Sequence, residues 1–162
     1  MNDIEIYNDF FTEEIREEIW KLLLRPQWSP DGGNDTNWFW HMDHLEKEEY
    51  FSQYLYSKIC DKLERSFKVK RIYANGQIAG QIGNPHKDDG DFTFLYYPNP
   101  EWKLHYGGNL IFSEYEKEPS HIIGYKPNRA IIFPSRILHY AEAPHRFFTG
   151  FRISLAYKFL VQ

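Results

Sequence analysis

The chain has 162 residues, a formal net charge of −4 and a single cysteine. That length can bury a core without covalent staples. A lone Cys60 excludes an internal disulfide framework and a cysteine-rich zinc site, and the mild acidity argues against a nucleic-acid binder. No apolar run approaches the length needed to cross a bilayer, and the acidic opening segment Met1 to Phe10 lacks a secretory h-region. The expected setting is therefore cytoplasmic, with no membrane contact. Aromatics make up 19% of the residues, enough flat side chains to line a pocket as well as fill a core.

Ile4 to Tyr7 reads as a short strand. Thr12 is a candidate N-cap, with Glu13 and Glu14 in the first turn where the helix dipole favours carboxylates. Ile15, Ile19, Leu22 and Leu23 follow at helical spacing, and Pro26 ends the pattern. Ser29 to Thr36 is turn chemistry and predicts a loop, and Asn37 to Met42 predicts an extended aromatic segment. Trp38, Phe39 and Trp40 in it read as packing residues that could also wall a cleft. A second helix is predicted from about Leu45 to Ser66, with Phe51, Leu55, Ile59 and Leu63 every four residues and Cys60 in a packing role.

From Val69 onward the pattern changes to short β-type runs broken by Gly, Pro and Asn. The predicted strands cover roughly 69–75, 77–83, 91–97, 108–113, 120–125, 129–133, 137–140 and 149–160. No repeat, low-complexity tract or linker divides the chain. The reading is mainly β with N-terminal helices, a single domain over 1–162. Lys68, Lys70 and Arg71 read as a solvated strand edge.

Three residues carry metal chemistry. His86 and Asp88 are two apart in Pro85-His86-Lys87-Asp88, so on an extended segment they share a face. His139, 53 residues after His86, ends a run that a strand could bring across. Two imidazoles and one carboxylate leave coordination positions open, as in the facial triad of non-haem Fe(II) oxygenases. Zinc hydrolases also use such a set, but their helical H-E-x-x-H is absent. A solvated acidic turn, with Asp89 and Asp91 nearby, is the bland alternative. Arg152 opens an alternating segment in which Arg152 and Ser154 face one way and Ile153 and Leu155 the other. An inward Arg needs an anionic partner, which a dicarboxylate would supply; an edge-strand Arg pointing to water is the bland alternative, and the commoner one for such a residue taken alone.

Residues 72–159 resemble the prolyl-4-hydroxylase-like branch of the 2-oxoglutarate/Fe(II) oxygenases. The matching features, in order, are Tyr73 and Gly76; His86-Lys87-Asp88; Thr93-Phe94-Leu95-Tyr96-Tyr97-Pro98-Asn99; Trp102; and Gly107-Gly108-Asn109-Leu110. They continue with Pro127-Asn128-Arg129-Ala130-Ile131-Ile132-Phe133, His139 and Arg152-Ile153-Ser154-Leu155. The resemblance implies a double-stranded β-helix, or jelly roll, with helical support over about 1–68 and the β-helix core over about 69–162. It implies Fe(II) on His86, Asp88 and His139, and the far carboxylate of 2-oxoglutarate on Arg152, helped by Tyr97 and Tyr73, with Ser154 beside it. Arg146 is the alternative anchor, because the gap from His139 to Arg152 is longer than the family's usual one. O2 is the oxidant, ascorbate a possible accessory, and succinate and CO2 the co-products.

The implied reaction is hydroxylation of an unactivated C–H bond, first of a prolyl residue in a peptide or protein. The same chemistry on a small molecule or an alkylated nucleic acid, and a cupin-like binding module without turnover, remain alternatives. Gly107 and Gly108 read as backbone devices. His41, His44, His105, His121 and His145 read as structural or surface residues.

Overall fold

The first expected helix forms as α1, Glu13–Leu23, in the computed structural model, which describes residues 3–30, 39–115 and 118–162. Thr12 is its N-cap residue, and Ile19 and Leu23 are buried. The loop expected at Ser29 to Thr36 begins instead with β2, Ser29–Pro30, and the rest of it, with Asn37 and Trp38, lies outside the described residues.

The second expected helix is three pieces. A 3-10 turn covers Leu45–Lys47, a π-helix Tyr50–Leu55 and α2 Tyr56–Leu63. Phe51, Leu55, Ile59 and Leu63 are nevertheless all buried. Their strict four-residue spacing supplies the reason. Four residues overshoot one turn of an α-helix of about 3.6 residues and fall short of one wider π-turn. Joining the two types keeps the four side chains on one face.

The strands are β1 (Glu5–Tyr7), β2, β3 (Trp40–Met42), β4 (Lys68–Gln77), β5 (Phe92–Tyr96), β6 (Leu110–Tyr115), β7 (Glu118–Ile123), β8 (Ala130–Pro134), β9 (Leu138–Ala141) and β10 (Arg152–Leu160). A seven-stranded sheet has the order β1-β8-β5-β10-β4-β3-β2, and a three-stranded sheet the order β7-β6-β9. Every pairing is antiparallel. The first 68 residues thus supply more than helices, because β1, β2 and β3 flank the large sheet on both sides and cover edges that would otherwise stay open.

The strand expected at 77–83 does not form. β4 runs unbroken to Gln77, and residues 78–85 are turn and loop. Gly80 takes φ +85°, outside the strand region. The loop is tied down at long range, Gly80 N–H donating to Pro144 O (3.1 Å) and Gly83 N–H to Ala141 O (2.9 Å).

The double-stranded β-helix shows in how β10 is covered. Ile153, Leu155, Tyr157 and Phe159 join Phe51, Leu55 and Ile59 in the core between the large sheet and the helices. Ala156, on the other face, packs with Leu95, Leu110, Phe112 and Phe133 between the two sheets. A strand buried on both faces is apolar on one parity, and its polar residues on the other parity look into the space between the sheets. Those polar residues are Arg152, Ser154 and Lys158, all buried.

Candidate active site

His86 and His139 meet across an antiparallel bridge, with N–H to O distances of 3.0 Å in both directions. Asp88 N–H donates to Ser135 O at 2.9 Å, which fixes the HxD segment against the end of β8. Ligand atoms of His86, Asp88 and His139 all lie within 4.8 Å of one another. Each imidazole is oriented from behind. Nδ1 of His86 faces Asn84 O at 2.7 Å, and Nδ1 of His139 faces Ile137 O at 2.8 Å. A carbonyl can only accept, so Nδ1 carries a proton, and Nε2 is the nitrogen turned inward, a donor to Asp88 when protonated and a metal ligand when not. Both Nε2 atoms face Asp88, that of His86 at 3.4 Å from Oδ1 and that of His139 at 3.2 Å from Oδ2.

Electrostatics follow the geometry. Burial works to raise the Asp88 carboxyl, but hydrogen bonds from His139 and His86 and the charge of Lys158 hold it well below the usual carboxylate range. The hydrogen bond to Asp88 raises His86 above its ordinary value. An ionised carboxylate between two imidazoles is a donor set suited to a divalent metal.

Arg152 is 1% exposed. Its Nε donates to Gly108 O at 3.0 Å and a terminal nitrogen to Gln77 Oε1 at 2.7 Å. The guanidinium lies over the rings of Tyr97 (5.4 Å) and Tyr125 (4.9 Å). All these partners are neutral, and no carboxylate pairs with it among the described residues. The Tyr97 hydroxyl is buried without a hydrogen-bond partner. A buried cation with neutral partners, beside an orphan hydroxyl, suits the carboxylate of a ligand. One cavity joins this end to the triad, with Tyr73, Asn75, Leu95, Tyr97, Ser154 and Lys158 in its wall.

Gly108 does more than open a strand. Its φ is +71°, and a Cβ there would lie 2.9 Å from Arg152 Nε and 3.0 Å from Trp102 Cζ2. Only glycine lets its carbonyl approach Arg152. Arg146, the other candidate anchor, is exposed and lies over Phe147. Phe39 lines the cavity, and His41 stacks on Tyr73. Lys70 and Arg71 both pair with Asp89, as befits a strand edge.

Register orders the inward residues. Arg152 stands opposite Gln77, Ser154 opposite Asn75, Ala156 opposite Tyr73 and Lys158 opposite Arg71. Tyr73 is thus one step from Lys158 and two from Arg152, toward the Asp88 end. Burial, with Asp88 adding to it, raises the Tyr73 hydroxyl.

Sequence reasoning missed Lys158. It is 1% exposed and donates to Asp88 Oδ2 and, at 3.1 Å, to Thr93 Oγ1. Burial lowers it to about 8 although Asp88 opposes the shift. The signal was present, because Lys158 has the same parity as Arg152 and Ser154. A lysine near a chain end reads as solvated until the covering sheet is known.

The family model of the 2OG-Fe(II) oxygenase superfamily matches residues 21–157. No curated protein sequence matches the chain. Among solved structures, a Trichoplax adhaerens prolyl hydroxylase in complex with a hypoxia inducible factor oxygen degradation domain peptide fragment superposes with TM-score 0.76 at 17% identity. That match covers 98% of this chain and 84% of the other. A Pseudomonas putida prolyl-4-hydroxylase gives 0.71 at 14% identity, covering 97% and 92%. HygX from Streptomyces hygroscopicus, with nickel and 2-oxoglutarate bound, gives 0.72 at 9% identity, covering 96% and 81%. At these identities the structures share the fold, while the family model spans most of the chain. The protein belongs to the 2OG-Fe(II) oxygenase superfamily and is a 2-oxoglutarate-dependent Fe(II) dioxygenase, which works with Fe(II), 2-oxoglutarate and O2.

Proposed function

We propose that this oxygenase hydroxylates an unactivated C–H bond of a prolyl residue in a peptide or protein, as one catalytic unit spanning the chain. His86, Asp88 and His139 hold the metal. Arg152 and Tyr97 hold the far carboxylate of 2-oxoglutarate, with Ser154 beside it and Tyr73 toward the metal. The observation that carries the co-substrate assignment is the Arg152 guanidinium with neutral partners next to the orphan Tyr97 hydroxyl. When bound, iron, 2-oxoglutarate and O2 supply the oxidising chemistry, and succinate and CO2 leave as co-products. The chain's own share is orientation and exclusion. Arg152 fixes one end of the dicarboxylate so that the other meets the metal in one pose. Leu95, Leu110 and Phe39 give the cavity apolar walls that keep bulk water away.

The choice of a prolyl substrate is supported by the resemblance of residues 72–159 to the prolyl-4-hydroxylase-like branch and by two structural neighbours that are prolyl hydroxylases, one of them with a peptide. A turnover screen reading succinate tests it, with proline-containing peptides set against small molecules. Stimulation by peptides, with hydroxyproline found in the product, is expected. Stimulation by small molecules alone would move the substrate class, and no 2-oxoglutarate turnover with any substrate would remove the catalytic reading.

Tyr97→Phe separates binding from folding. The hydroxyl has no partner, so its loss should leave the melting temperature unchanged or raised. Affinity for 2-oxoglutarate should fall by about 1.5–3 kcal/mol, the usual worth of a hydrogen bond to a charged group. Calorimetric titration and a thermal melt check the two halves separately.

A further inference from the structure

Lys158 is the only buried lysine among the described residues, and neither co-substrate anchoring nor metal ligation uses it. It comes from β10, crosses the inner face and ends on Asp88 Oδ2. The same oxygen accepts from Thr93 Oγ1 at 2.7 Å, and Thr93 Oγ1 lies 3.0 Å from Ser135 Oγ. Thr93 and Ser135 are fully buried. A polar network from three parts of the large sheet therefore converges on Oδ2, which also faces His139 Nε2 at 3.2 Å, while among the described residues Oδ1 faces only the His86 imidazole, at 3.4 Å.

That asymmetry bears on coordination. A metal bound by two imidazoles and one carboxylate oxygen would keep positions open for co-substrate and O2. A carboxylate binding through both oxygens would take one of those positions. An ammonium on Oδ2 prevents this, because that oxygen's lone pairs are engaged and a second cation stands in the way. The same positive charge lies close to the metal and works against it.

We propose that Lys158, backed by Thr93, is a positioning residue of the metal centre, which holds Asp88 to one oxygen toward the metal and sets the metal affinity below what the three ligands alone would give. This rests on the metal centre proposed above.

The test uses the full chain loaded with Co(II), whose absorption bands report coordination number and whose affinity is measured by chelator competition. His86→Ala serves as the control. Lys158→Met is expected to bind Co(II) about tenfold tighter or more, since a like charge has left the site. Its band intensities should shift to a different coordination, and succinate formation should slow. Lys158→Arg should keep a wild-type spectrum. A plain structural role for Lys158 would lower the melting temperature and leave the spectrum unmoved. A folded Lys158→Met with wild-type affinity and spectrum overturns the proposal. Should that variant not fold, Lys158→Gln carries the test, because it removes the charge and leaves a donor. Its affinity must rise while its spectrum stays close to wild type, and unchanged affinity is again fatal. If the wild type binds no Co(II), or binds it equally after His86→Ala, the metal centre is misassigned and the tether falls with it. If Co(II) binds through His86 but Lys158 variants change nothing, only the tether is wrong.

Discussion

Arg152→Ala is expected to weaken 2-oxoglutarate binding by roughly 30-fold to several thousand-fold, about 2–5 kcal/mol, while metal binding stays nearly intact. The upper range follows from burial, because a guanidinium 1% exposed would meet the anion out of reach of bulk water, and its planar fork matches a carboxylate. The fold should tolerate the change. Arg152 has only neutral partners, Gln77 and Gly108, so alanine removes a buried cation along with its packing and strands no opposite charge. The two effects on stability oppose each other. Anaerobic titration of 2-oxoglutarate into the iron-loaded variant, following the charge-transfer band, measures the loss. Wild-type affinity would refute the assignment, and Arg146 would then be tested in its place.

His86→Ala and Asp88→Ala should both abolish 2-oxoglutarate turnover, yet differ in stability. His86 lies at the surface, with 45% of its side chain exposed, whereas Asp88 is 4% exposed. Removing Asp88 leaves Lys158 buried without its counter-charge. Breaking such a pair costs about 3–5 kcal/mol, a drop of roughly 6–20 °C in melting temperature for a chain of this size. The penalty has a pH signature. Lys158 is already drawn down to about 8, and without Asp88 it falls further below its unfolded value near 10.4. The unfolded chain then binds more protons between those two values, so the variant's stability should recover as pH rises through that window. Thermal melts across pH 7 to about 10 test this. An Asp88→Ala protein as stable as His86→Ala at neutral pH would mean that Lys158 is not held by Asp88.

The amino-acid sequence carried the chemistry because strand geometry is local. Residues two apart share a face, so His86 with Asp88, and Arg152 with Ser154, were legible before any fold was known. His139 was legible only as a candidate, since the bridge that seats it opposite His86 joins segments 53 residues apart. The same parity put Lys158 on the inner face, but not its engagement with Asp88.

Other features needed neighbours from distant segments. The helix expected over 45–66 became a π-to-α run, because a four-residue repeat must meet one flat sheet face. The strand expected at 77–83 became a loop because its backbone groups found partners at Ala141 and Pro144. Gly108 reads locally as a device for tight strand entry, and its requirement for glycine appears only once Arg152 and Trp102 crowd it. Local sequence determined which faces are polar, which ligand types are present and where glycine interrupts. Tertiary structure decided which polar groups meet, which stay unpaired and which are charged, because burial and partner charge belong to contacts between strands far apart in the chain.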